Sequence, residues 1–267
     1  MLTQPLLDKL SALGLRGFRA ALEEQFEIPH YAELAFEERL GLLIDIECTR
    51  RADNRLQRHI RSAHFALPAT IEDLDLSVRR GLKRAHVLEL AQSAWVRRQL
   101  NILILGATGT GKTYLTCALG NAACRANYSV RYERTSRLLQ TIELAHADGS
   151  YAKLLRSLAR TKLLIFDAWL RDPLTRSQAR DLLEVLDDRY GHAATIVATQ
   201  IPVADWHPVY RCSVHGTVPN ELGRYSQISD PTLADAILDR LIHNAYRLEL
   251  QGVSMRKTHS RLPATVD

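Results

Sequence analysis

Aromatic side chains are scarce in this chain. Phe, Trp and Tyr make up 6% of its 267 residues, although hydrophobic residues as a class reach 46%. The core implied is sizeable but mostly aliphatic, and the length suits one large domain or two smaller ones. Long apolar runs are also missing. No stretch approaches the ~20 residues a membrane span requires, and the opening Met-Leu-Thr-Gln-Pro has neither the basic nor the apolar region of a signal peptide. Cys48, Cys117, Cys124 and Cys212 form no C-x-x-C pair. They read as reduced, mostly buried thiols rather than zinc ligands or a disulfide framework, and the expectation is a cytoplasmic protein. Internal repeats and low-complexity tracts are absent too. The net charge of +5 and pI near 9.1 are mild, so the placement of charge matters more than its sum.

What is present is a complete G-x-x-x-x-G-K-[ST] phosphate loop: Gly106, Ala107, Thr108, Gly109, Thr110, Gly111, Lys112 and Thr113. It follows the apolar run Asn101-Ile-Leu-Ile-Leu105 and leads into a helix-like stretch from Tyr114 to Arg125. A buried strand, a Gly-rich turn and a helix N-terminus together cradle a nucleotide triphosphate. Lys112 is expected to bridge the outer phosphates and the Thr113 hydroxyl to ligate Mg²⁺. With glycine at about 7% of residues, a chance match in a chain this long is roughly one in a hundred.

Residues 1 to about 95 read as helical, with a break near Gly14 and Gly17, an end at Pro29, and a long amphipathic helix from Phe36 to about His64 closed by Pro68. Glu37 and Glu38 suit its first turn, while Ala35 stands where a Ser would complete a capping box. Arg50, Arg51, Arg55, Arg58 and Arg61 lie on that helix with Asp53 as the opposing acid in the same stretch. Spacings of three and four place several on one face. The stripe fits a nucleic-acid backbone, an acidic protein partner or a plain solvated face. Thr70 to Asp75 is an acidic connector, and Val87 to Leu100 reads as the helix that enters the first strand.

From Asn101 onward, strands and helices alternate, which predicts a parallel sheet covered by helices. The predicted strands are Ile102–Leu105, Ser129–Tyr132, Leu163–Asp167, Thr195–Thr199 and Arg247–Leu250. The predicted helices are Ser136–His146, Tyr151–Ala159, Asp181–Tyr190 and Leu233–Ala245, and Pro208–Ser229 reads as a long loop. Leu163-Leu-Ile-Phe-Asp167 follows the phosphate loop by about fifty residues, which makes Asp167 the acid expected to hold Mg²⁺ through water. The next position is Ala168, which can neither accept a proton nor polarise water, so the residues favour ATP binding and leave hydrolysis open. Thr199 and Gln200, at the end of the fourth predicted strand, are positioned to reach a terminal phosphate.

Beyond these motifs, Asp181-Leu-Leu-Glu-Val-Leu-Asp-Asp-Arg-Tyr-Gly191, Thr199-Gln-Ile-Pro-Val-Ala-Asp-Trp-His207, Asp230-Pro-Thr-Leu-Ala-Asp-Ala-Ile-Leu-Asp-Arg-Leu-Ile-His-Asn-Ala245 and Gly252-Val-Ser-Met-Arg-Lys257 resemble IstB, the ATP-binding helper of IS21-type insertion sequences. IstB is in turn similar to the DnaC helicase loaders of the AAA+ class. The likeness spans nearly the whole chain except Pro208–Ser229. It implies an α/β AAA+ P-loop core at residues 101–260, with a five-stranded parallel sheet and helices on both faces. A helical N-terminal domain (1–68) and a linker with an entry helix (69–100) precede this core, and a short tail (261–267) follows it. It implies ATP and Mg²⁺ as cofactors, ATP-dependent homo-oligomerisation on duplex DNA with little sequence preference, and recruitment or stimulation of a partner transposase (IstA-like). Arg240 falls in the box that supplies an arginine finger to a neighbouring subunit, and Arg256 where such proteins carry a sensor-2 arginine. The helix pair from Ser136 to Ala159 matches the extra element of the initiator and loader clade, which makes Arg134, Arg137, Lys153, Arg156 and Arg160 candidates for DNA contacts alongside Arg51, Arg55 and Arg58. Two departures are expected to matter. Asp167-Ala168-Trp169-Leu170 stands where the family reads Asp-Asp-[Trp/Phe]-Gly, and Pro208–Ser229 separates His207 from Asp230. The alternatives are a non-hydrolysing nucleotide-switched DNA clamp and a DnaC-like replicative helicase loader.

Overall fold

The computed structural model describes residues 3–76, 81–203, 206, 228, 230–252, 254 and 255. It falls into two compact units, Met1–Arg58 and His59–Asp267; their limit lies inside a helix, whereas the sequence suggested a domain limit at Pro68.

The first unit holds α1 (Thr3–Ala12), α2 (Arg16–Glu27), a 3₁₀ turn (Pro29–Glu33) and the first part of α3 (Phe36–Ala63). Its apolar centre is small: Leu7, Leu10, Ala21, Leu22 and Leu43, with Leu15 and Phe18 packed beside them. A polar joint supplements it. The N-cap of α2, Leu15, has no side chain able to accept a hydrogen bond. Glu47 of α3 takes that role, accepting the Gly17 N–H at 2.7 Å and the Phe18 N–H at 3.1 Å. A carboxylate at a helix N-terminus satisfies orphan donors and suits the dipole. Arg50 and Arg51 each approach Glu47 at 2.7 Å. The Arg50 guanidinium holds this carboxyl well below the usual range against the opposing effect of burial, with Arg51 and the two backbone donors adding to it. The acid opposing the arginine stripe is therefore Glu47, one turn ahead of it, as well as Asp53. At the start of α3 half a capping box survives: the Ala35 N–H donates to Glu38 Oε2 at 3.1 Å.

In the second unit α4 (Arg84–Ala91) and α5 (Ala94–Arg97) replace the single predicted entry helix, broken where Ser93 adopts φ +58°. Five strands follow: β1 (Asn101–Gly106), β2 (Val130–Arg134), β3 (Leu163–Asp167), β4 (Ala194–Thr199) and β5 (Ala245–Leu250). They pair in the order β2-β3-β4-β1-β5, all parallel, so the sheet is parallel and five-stranded as expected. The connecting helices are α6 (Lys112–Arg125), α7 (Thr135–Asp148), α8 (Tyr151–Arg160), α9 (Arg176–Arg189) and α10 (Pro231–Ile242). Strand side chains alternate between faces. Leu103, Leu164, Phe166 and Val197 join the core formed with α7 to α10. On the other face, Ile165 lies against Gly120 of α6, where an added Cβ would stand 2.9 Å from Ile165 Cδ1. The sheet thus carries helices on both sides. Of Pro208–Ser229 only Ile228 belongs to the described residues; it is fully buried and bridges Leu174.

Candidate nucleotide site

Parallel strands deliver their carboxyl ends to one edge of the sheet, which is where such folds bind ligands. β1 ends in the phosphate loop, β3 in Asp167 and β4 in Thr199. The loop turns through Gly109 (φ +86°) and Gly111 (φ +96°), and α6 starts at Lys112 with no side-chain cap from Gly111. A Gly-rich turn feeding an uncapped helix start leaves backbone donors for an anion. Lys112 Nζ donates to the carbonyls of Gly106 and Ala107 at 2.7 and 2.8 Å, so its ammonium is held beside the loop it is expected to serve. Thr110 is buried and donates to Ala107 O at 2.9 Å, bracing the turn from within. Ala107 and Thr108 are exposed on the outer rim.

Thr113 and Asp167 meet as the two motifs require: Thr113 Oγ1 donates to Asp167 Oδ2 at 2.8 Å. The same carboxylate oxygen accepts the Tyr132 hydroxyl at 2.6 Å, Oδ1 accepts the Ala168 N–H at 2.9 Å, and Thr135 Oγ1 donates to the Asp167 carbonyl at 3.2 Å. Hydroxyl and carboxylate are hard oxygen donors. Mg²⁺ in nucleotide sites is held largely by phosphates and water and needs only one or two protein oxygens, so this pair fits the ion. No cluster of three or more His, Cys, Asp or Glu able to hold a metal occurs among the described residues.

Ala168 and Leu170 occupy the left-handed region, at φ +55° and +52°. Leu170 stands where the resemblance leads one to expect Gly, and the turn keeps the backbone angle that Gly serves. Its side chain is buried together with Trp169, whose ring packs at a tilt against Phe166 and Trp206.

Thr199 does not reach outward as the sequence suggested. It is fully buried, donating to the Trp169 carbonyl at 2.8 Å and accepting the Ile201 N–H at 3.0 Å. Its neighbour Gln200 is exposed and accepts the Thr108 hydroxyl, so Gln200 is the strand-end residue in touch with the phosphate loop. The chain also returns to the loop after β5. The Met255 N–H donates to the Gly109 carbonyl at 2.9 Å, and a Cβ on Gly109 would stand 2.1 Å from Ser254 Oγ. This strap was missed in the sequence, where Gly252–Lys257 registered only as a family segment. Arg256 lies outside the described residues.

Arg240 sits elsewhere. It lies in the last turn of α10, pairs with Asp187 of α9 and, at 3.7 Å, with Asp239, and has its carbonyl bonded by Asn101 Nδ2 at 3.0 Å. Asn101 opens β1, so Arg240 lies at the amino edge of the sheet, a strand length of ~17 Å from the phosphate loop. Arg134, Arg137, Lys153, Arg156 and Arg160 are exposed along β2, α7 and α8. Arg51, Arg55 and Arg58 are exposed on α3, with Arg51 tied to Glu47.

A phosphate loop on β1, an acid on β3 and β4 between them define an AAA+ phosphate-loop domain. The solved structure of DnaI has this fold, with a TM-score of 0.54 and 16% identity over 73% of this chain and 94% of that one. AMPPCP-bound DnaA from Aquifex aeolicus has it too, with a TM-score of 0.53 and 19% identity over 73% of this chain and 54% of that one. The chain belongs to the family of IstB-like ATP-binding proteins, whose sequence profile it matches over residues 8–218 and 211–263. It is 41% identical to the insertion sequence ATP-binding protein y4pL of Sinorhizobium fredii over 98% of this chain and 99% of that one. It is 44% identical to the IS1162 ATP-binding protein of Pseudomonas fluorescens over 76% of this chain and 88% of that one. No helix among the described residues is long and apolar enough to cross a membrane.

Proposed function

We propose that this protein is the nucleotide-dependent assembly factor of an insertion sequence. It binds ATP with Mg²⁺, oligomerises on duplex DNA and recruits or stimulates a partner transposase. Magnesium bound here supplies charge neutralisation of the phosphates. The residues do the rest: the loop backbone and Lys112 hold the phosphates, Thr113 and Asp167 offer the cation two oxygens, and Gln200 braces the loop rim through Thr108. The observation that carries the nucleotide reading is the 2.8 Å contact between Thr113 and Asp167 at the mouth of the loop.

The position of Arg240 supports assembly. An arginine at the amino edge of the sheet is too far from its own loop to touch that nucleotide, yet it suits a phosphate presented by a neighbouring copy. DNA contact is assigned to phosphate-directed arginines and lysines: Arg51, Arg55 and Arg58 on α3, and Arg134, Arg137, Lys153 and Arg156 around α7 and α8. Ala168 favours a second reading, a clamp that binds ATP and releases it unhydrolysed, because the side chain beside Asp167 can activate no water.

The test combines light scattering and nucleotide binding on wild type and Lys112→Ala. Wild type should bind ATP and grow in particle size when ATP and DNA are both present; Lys112→Ala should do neither. ATP-dependent growth retained in Lys112→Ala would refute the phosphate-loop reading. Phosphate release by wild type separates a turnover enzyme from the clamp.

A further inference from the structure

We infer that Tyr132 is a positioning residue for the magnesium-binding carboxylate, a role carried by neither of the two sequence motifs. This deepens the nucleotide reading above and rests on it. Tyr132 lies in the middle of β2, one strand away from Asp167, and is 6% exposed. An ionised carboxylate only accepts hydrogen bonds, so the 2.6 Å contact is a donation from the phenol to Oδ2. A phenol keeps its proton near neutral pH, so it remains a donor there.

The geometry explains why the donor is needed. A water-mediated metal contact requires one plane of the carboxylate, but rotation about its last torsion is soft. Here Ala168 N–H holds Oδ1 at 2.9 Å and Tyr132 holds Oδ2 from the β2 side, while Thr113 approaches the same oxygen at 2.8 Å from α6. Thr113 is itself a metal ligand in this reading, so its hydroxyl has two tasks. Tyr132 has one. It keeps Oδ2 directed whether or not Thr113 is engaged, which is the work of an outer-shell partner around a metal ligand. The adjoining Thr135, bonded to the Asp167 carbonyl, fixes the backbone of the same residue.

The test uses the full chain and a fluorescent ATP analogue titrated across Mg²⁺ concentrations and again in EDTA. In Tyr132→Phe the Mg²⁺ concentration giving half of the affinity gain should rise about tenfold, while affinity in EDTA stays at the wild-type value. A variant that melts like wild type with an unchanged Mg²⁺ midpoint overturns the inference. So does an equal loss with and without Mg²⁺, which would make Tyr132 a packing residue. If Tyr132→Phe does not fold, 3-fluorotyrosine placed at this position alone keeps the ring and strengthens the donor. The midpoint should then fall, and an unchanged midpoint overturns the inference. Wild type that binds no nucleotide under any condition refutes the phosphate-loop reading instead.

Discussion

Ala168 carries two consequences that pull apart. It deprives the site of an acid, and it places a Cβ at φ +55°, where an L side chain costs roughly 1–2 kcal/mol. Ala168→Gly should therefore raise unfolding stability by about 0.5–1 kcal/mol, read as a higher urea midpoint at unchanged slope; a lower midpoint would mean the methyl packs better than its angle suggests. Leu170 shares the strain at φ +52° but is 1% exposed. Burying a Leu side chain contributes about 1.5–3 kcal/mol, enough to offset that angle. The motif residues were legible because their chemistry is local: Lys112, Thr113 and Asp167 sit where the spacing put them. Thr199 was not, since a strand-end hydroxyl reads alike whether it turns inward or outward. Tyr132 was hidden because its partner is thirty-five residues away. Arg189 was invisible for a similar reason. It is a buried guanidinium with no carboxylate partner among the described residues, bonded to the carbonyls of Leu158, Thr161 and Ala194 and to the Thr195 hydroxyl.

Among the elements, α9 begins at Arg176, five residues ahead of its predicted start. The signal was present: Thr175 and Gln178 form a capping box, the S/T-x-x-Q pattern of a helix N-terminus. The break at Ser93 had no such signal, for neither Gly nor Pro marks it. In α3, Glu47 makes the small unit pH-sensitive. Its folded pKa lies below the unfolded value, so the unfolded state takes up the proton first. The stabilisation is complete above the ordinary carboxylate pKa near 4.5 and is lost progressively as pH falls below it. Urea titrations from neutral to acid pH should show this loss in wild type, and the part due to Glu47 should vanish in Glu47→Gln. The same helix offers a clean probe of DNA contact. Neutralising Arg55 and Arg58, which leaves the Glu47 joint intact, should weaken binding across sequences and flatten its salt dependence by about two phosphate contacts. An unchanged slope would return these arginines to a solvated face.

Across the whole molecule, the second unit reads as two edges of one sheet: a carboxyl edge that grips nucleotide and an amino edge that offers Arg240. In the proposed assembly, copies stacked edge to edge would join them. In the isolated chain Asp187, with Asp239 at 3.7 Å, already neutralises Arg240. Arg240→Ala should leave ATP affinity intact while abolishing ATP-promoted growth on DNA in light scattering. Asp187→Asn should loosen the guanidinium, leaving Asp239 at 3.7 Å, and lower the ATP concentration at which growth begins. Growth unaltered by either change would remove Arg240 from the contact between copies. Architecture was the most legible scale, because β-α alternation and the two nucleotide motifs fix strand direction and the site edge together. Strand order and the strap depend on contacts between distant segments.

The strap is the chain's last described act: after β5 it crosses back and hangs Met255 on the Gly109 carbonyl. That bond ties Met255 to the turn of the nucleotide cradle rather than to an indifferent surface. A shift of Ser254 or Met255 would be felt first at Gly109, in the turn that faces the phosphates.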